Sequence, residues 1–185
     1  MSASRGIISV FGGARVEQGS EAYEQARLMG ELLGRAGFSV STGGYGGVMG
    51  GASEGAASAG AHVIGVTTNH FSQGEERHGV NQWVTEERRF LFFRERLMHT
   101  IDVCDAAIAM GGGVGTLVEV SLMWNIGIVG EDRPRPIIMV GKFWKDTFDA
   151  FLSGGDYVRT KALDVLHFVD TPQQAVDILE KAFPR

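Results

Sequence analysis

The stretch AAIAMGGGVGTLVE, Ala106 to Glu119, decides the fold. Ala106 to Met110 is wholly apolar, flanked by Asp105 and Gly111, and short, so it reads as a strand buried on both faces. The glycines that follow turn the chain into a helix ending near Gly127. A strand, a glycine turn and a helix form the unit of a parallel sheet, whose ligands bind outside the carboxyl ends of the strands. Glycine lets a backbone approach an anion with no Cβ in the way. A helix N-terminus adds free N–H groups and the positive end of a dipole. Gly112, Gly113, Val114, Gly115 and Thr116 are therefore candidate phosphate-binding residues, with the Thr116 hydroxyl as an extra donor. No Gly-Lys-Ser/Thr follows, so this is not a P-loop, and the spacing is not a clean dinucleotide fingerprint.

Glu119 admits two readings. Thr116 and Glu119 have the spacing of a capping box, in which Glu119 folds back onto the Thr116 N–H. Alternatively Glu119, in the first turn beside the cradle, faces away from the phosphate toward a sugar. There it could hold ribose hydroxyls, stabilise an oxocarbenium-like charge or orient water.

Outward from this unit, strands and helices alternate. Residues 7–11 (IISVF) are a short buried strand ending at Gly12-Gly13, a possible further wall of a site. Ala22, Ala26, Met29, Leu33 and Ala36 mark a helix stopped by Gly37. Phe38 to Ser41 is a strand, and the turn TGGYGGVMGG, 42–51, offers Gly43, Gly44, Gly46 and Gly47 as a second backbone cradle. An alanine-rich helix and the strand His62 to Val66 follow, then a polar, aperiodic loop at 67–82 that would influence specificity. Residues 87–101 read as one helix carrying Arg88, Arg89, Arg94 and Arg96. Arg94 and Arg96 lie about 200° apart on such a helix, so at most one faces a given site. Ile137 to Val140 and Leu166 to Val169 read as strands and 142–152 as a helix. Thr171-Pro172 starts the last helix, with Thr as N-cap and Pro at N1. The expected fold is α/β, a Rossmann-like, doubly wound parallel sheet with helices on both faces, in one domain spanning 1–185.

Composition narrows the function. Gly 27 is about double the ~13 expected at average usage. Formal charge −5 argues against a generic nucleic-acid or membrane-surface binder. No apolar run approaches ~18 residues and no signal-peptide pattern opens the chain, so a cytoplasmic protein is expected. The lone Cys104 reads as a small buried residue. His62, His70, His78, His99 and His167 show no metal-ligand spacing; no metal and no cofactor is expected.

These motifs resemble the Lonely Guy (LOG) family, long labelled possible lysine decarboxylase. Its signature Pro-Gly-Gly-x-Gly-Thr-x-x-Glu is matched from Gly111 to Glu119, with Gly111 in place of Pro. Gly43 to Gly50 resembles the family's Gly-Gly-x-x-Gly-x-Met-Gly turn, and AGAHVIGV (59–66) also matches. The resemblance implies a homodimer and a phosphoribohydrolase that cleaves cytokinin riboside monophosphates or AMP to free base and ribose 5-phosphate. It implies a catalytic pair of Glu119 and an arginine. Counting back from the glycine motif gives Arg96. Matching the family's Arg-Lys-x-x-Met spacing gives Arg94, with Met98 beside the nucleotide. The Gly-Gly-Gly variant also resembles a branch of molybdenum-cofactor carriers, so the alternative is a non-catalytic nucleotide- or cofactor-binding protein. The decarboxylase label would need pyridoxal phosphate on a lysine, and Lys142, Lys145, Lys161 and Lys181 all lie outside the glycine motifs.

Overall fold

The computed structural model describes residues 4–72 and 79–184. The order is β1 (Ile7–Phe11), α1 (Glu21–Arg35), β2 (Ser39–Thr42), α2 (Val48–Ser58), β3 (Val63–Thr68), β4 (Glu86–Phe90), α3 (Phe93–Asp102), β5 (Ala106–Ala109), α4 (Val114–Val129), β6 (Ile137–Val140), α5 (Lys142–Ser153), β7 (Leu166–Val169) and α6 (Pro172–Ala182). The seven strands form one all-parallel sheet in the order β4-β3-β2-β1-β5-β6-β7. The chain winds outward from β1 to β4, then crosses back to lay β5 on the other side of β1. That reversal is the switch point where doubly wound sheets open a crevice.

Alternate strand residues feed two cores. Ile8, Val10, Val40, Ile108 and Ile138 pack under α1, α2 and α6 with Met29, Leu33, Ala52 and Leu179. Phe11, Ala107, Ala109, Ile137 and Met139 pack under α3, α4 and α5 with Ile101, Val120, Met123, Trp144 and Phe148. Part of the glycine excess serves packing. A Cβ on Gly30 or Gly55 would collide with the facing backbone of α2 or α1, so these glycines set how closely the two helices approach.

One element departs from the sequence pattern. Residues 87–101 are not a single helix: Glu86–Phe90 is a strand and α3 begins at Phe93. β4 is an edge strand with alternating exposure, so its charges reach solvent while its backbone pairs with β3. Arg88 and Arg89 pair two residues back, with Glu86 and Glu87, the spacing of one strand face. The loop expected at 67–82 is part strand, since β3 runs to Thr68, and part short helical turn, Asn69–Ser72. Residues 73–78, His78 included, lie outside the described residues. Among the described residues no helix is long and apolar enough to cross a membrane.

Candidate functional site

The turns after β1, β2 and β5 meet over the switch point. Met110 N–H donates to the Phe11 carbonyl at 2.9 Å, Gly13 N–H to the Gly111 carbonyl at 2.9 Å, and Val48 N–H to the Gly13 carbonyl at 2.9 Å. Side chains are excluded where the turns touch. A Cβ on Gly12 would strike Val48, and one on Gly112 would strike the buried Thr116 side chain. Gly47 has φ +65°, and a Cβ there would strike the Gly13 carbonyl. The β2 turn is held further by Asn81, whose N–H donates to the Gly44 carbonyl at 2.7 Å and whose side-chain amide donates to the Tyr45 carbonyl.

Gly111, Gly113 and Gly115 are different. A Cβ on any of them would meet nothing within 4 Å, and none has a positive φ. Nothing inside the chain requires glycine there, and glycine inside a helix costs up to ~1 kcal/mol relative to alanine. Their effect is to leave the backbone bare toward open space. The N-cap of α4 is Gly113, with no side-chain cap, and the first bond back to it comes from Leu117 N–H at 3.0 Å. The N–H groups of Val114, Gly115 and Thr116 therefore precede the helix's own hydrogen-bond ladder. They combine with the α4 dipole to favour an anion.

Glu119 sits one turn into α4 and does not form the capping box. Its Oε1 instead accepts from Arg96 Nη1 at 3.1 Å, and the two side chains are only 12% and 6% exposed. Arg96 is pinned on three sides. Its Nε donates to the Val66 carbonyl at 2.9 Å, its own carbonyl accepts from Thr100 Oγ1, and its guanidinium fills the space a Cβ on Gly43 would need. Burial pushes the Glu119 carboxyl above its ordinary range, and Arg96 opposes that rise. A buried ion pair is a poor stabilising device. A perturbed carboxylate with a defined cationic partner beside an anion cradle marks a functional site.

The two candidate arginines are thus separated. Arg96 reaches Glu119, while Arg94 is exposed with its guanidinium over the Phe92 ring. Met98 goes with Arg94: both line a groove on the outer side of α3, away from the glycine turns. Gly46 stands at the second turn with open space around it. Sequence reasoning missed the Val66 carbonyl, Thr100 and Ser9, whose hydroxyl donates to the Thr100 carbonyl and ties α3 to β1. Only Thr100, four residues after Arg96, carried a readable signal. Cys104 is buried, as expected. Lys142 and Lys145 are exposed and paired with Asp146 and Asp149 on α5, and Lys161 and Lys181 lie near β7 and on α6, remote from the turns.

The family model described as possible lysine decarboxylase matches residues 49–179. A Mycobacterium tuberculosis (strain ATCC 25618 / H37Rv) protein named cytokinin riboside 5′-monophosphate phosphoribohydrolase is 30% identical over 158 residues, 82% of this chain and 81% of that protein. Among solved structures, the molybdenum cofactor binding protein of Rippkaea orientalis superposes with a TM-score of 0.74 at 24% identity, covering 98% of this chain and 99% of its own. The molybdenum cofactor carrier protein of Chlamydomonas reinhardtii superposes at 0.72 with 21% identity, covering 97% and 98%. Those structures share the fold. The family match, the curated relative and the Gly111–Glu119 turn place the chain in the LOG family, described as possible lysine decarboxylase.

Proposed function

We propose that this chain is a nucleoside 5′-monophosphate phosphoribohydrolase, releasing free base and ribose 5-phosphate from AMP or a cytokinin riboside monophosphate. The observation that carries the reading is the Arg96–Glu119 pair, sunk one turn behind an uncapped helix start whose glycines face open space. A 5′-phosphate fits the bare N–H groups of residues 113–116. Glu119 lies ~5 Å further along the helix axis, about the reach of a ribose. Its carboxylate holds the ribose hydroxyls and stabilises the positive charge that builds on the sugar. Water bonds to C1′, the glycosidic electron pair leaves with the base nitrogen, and one water proton ends on the base. Arg96 keeps Glu119 in place and orients the substrate. The 30%-identical relative's name supports this chemistry.

The reading includes a homodimer working in the cytoplasm. Leu91, Phe92 and Phe93 at the start of α3, and Val114, Leu117 and Val118 at the start of α4, are exposed beside the site. A second copy covering them would remove apolar surface from water.

The test is incubation with AMP and with isopentenyladenosine monophosphate, followed by chromatography. Adenine from the first or isopentenyladenine from the second, together with ribose 5-phosphate, supports the hydrolase. Tight binding of either nucleotide with no product would favour the alternative, a nucleotide- or cofactor-carrying protein.

A further inference from the structure

Arg96 is tied to more than Glu119. The carbonyl that holds its Nε belongs to Val66, and Val66 is the register partner of Arg88 on β4. Arg88 Nη1 lies 3.3 Å from His99 Nε2, and His99 is one helical turn after Arg96 on α3. The four residues close a ring, two on α3 and two on adjacent strands. Arg88 is itself anchored: its Nε donates to Glu86 Oε1 at 2.6 Å, and Glu86 Oε2 lies 3.1 Å from His62 Nε2. The His99 ring packs against Phe90 with centroids 4.8 Å apart. A guanidinium only donates, so the Arg88 contact needs a bare Nε2, which means a neutral imidazole carrying its proton on Nδ1.

We propose that neutral His99, acting through Arg88, is a positioning residue for Arg96, and that protonating His99 loosens Arg96 from Glu119. The inference rests on Arg96–Glu119 being the reacting site. An imidazolium cannot accept from Arg88 and sets two like charges 3.3 Å apart. They relieve the repulsion by parting α3 from β4, and Arg96 moves with its helix. The charged groups around His99 are Arg88 and Glu86 on β4 and Arg94, Glu95 and Asp102 on α3. Burial first, then Arg88, holds the imidazole below its ordinary value of 6.5, against weaker opposition from Asp102 and Glu86. The ring is therefore assembled at neutral pH and opens on the acid side.

The experiment is an NMR titration of the whole 15N-labelled protein from pH 8 to 5, following the His99 ring and the Arg96 Nε–H in one sample. The expected result is one shared midpoint below 6.5 for both signals. In His99→Gln, whose amide oxygen still accepts from Arg88, the Arg96 signal should stay flat. AMP cleavage should fall about tenfold over the same range in wild type and not in the variant, since small displacements of positioning groups cost that much or more. An Arg96 signal that stays fixed while His99 titrates overturns the proposal, as does an unchanged transition in His99→Gln. Should that variant not fold, the shared or unshared midpoint in wild type decides alone. Absence of AMP cleavage at every pH overturns the hydrolase reading instead and leaves the titration to decide this one.

Discussion

Thr171 and Thr116 each stand three residues before a side chain able to accept a backbone N–H, Gln174 in one case and Glu119 in the other. At Thr171 the local pattern is realised in full. Thr171 Oγ1 accepts from Gln174 N–H, Gln174 Oε1 accepts from Thr171 N–H at 3.1 Å, and Pro172 starts the helix. At Thr116 none of it forms. The helix has already begun at Val114, Thr116 is buried inside its first turn, and Glu119 turns to Arg96. One helix start is closed by its own side chains; the other leaves its N–H groups open and keeps its carboxylate for another use. The contrast shows that a capping pattern becomes a cap only when no tertiary partner competes for the same side chain.

The largest expected effect comes from Arg96→Ala, which leaves Glu119 buried without its cation. Breaking a buried pair this way costs roughly 3–5 kcal/mol, so chemical denaturation should show a large loss of stability along with lost AMP turnover. Gly113→Asp converts the open start into a closed one. The backbone there is extended and a side chain has room, so a carboxylate cap should form and stabilise by ~1 kcal/mol. AMP affinity should fall at least about tenfold as that charge meets the phosphate, a penalty of ~1.4 kcal/mol or more readable by calorimetry. Higher melting temperature with weaker binding is the signature; unchanged binding would place the phosphate elsewhere. Thr171→Ala opens the closed start, costs ~1 kcal/mol, and should lower the melting temperature by ~2–4 °C with AMP turnover untouched.

A smaller effect lies in pH. Glu119's folded-state value is raised above its ordinary 4.5, so the native state holds the proton more readily than the unfolded chain. The associated stability is present below 4.5 and is lost as pH rises through the raised value. Melting curves of wild type and Glu119→Gln across that range should show wild type losing ground as pH rises; parallel curves would deny the shift.

Much of this was legible in sequence because two signals agreed. The apolar runs at Ile7–Phe11 and Ile137–Val140 match their strands end to end, and Thr171-Pro172 marks the start of α6. Counting back from Gly111 reached Arg96, the arginine that pairs with Glu119, because helical geometry keeps Arg94 off the same face. The miss at Glu86–Phe90 has a physical cause: an edge strand can keep charged side chains in water, so it lacks the apolar signature of the inner strands. What sequence could have offered was the opposite charge at every second position, Glu86 with Arg88 and Glu87 with Arg89. The choice between cap and ion pair at Glu119 was not legible, since Arg96 is distant in sequence and arrives only through the fold.

The account's central claim is a division of labour: the open start of α4 holds phosphate, and Glu119 performs the chemistry. The most direct measurement is calorimetric AMP binding by Glu119→Ala, paired with adenine release from the same preparation. The account predicts affinity within about tenfold of wild type, a change of no more than ~1.4 kcal/mol, and no adenine. Near-normal adenine release by Glu119→Ala would contradict it.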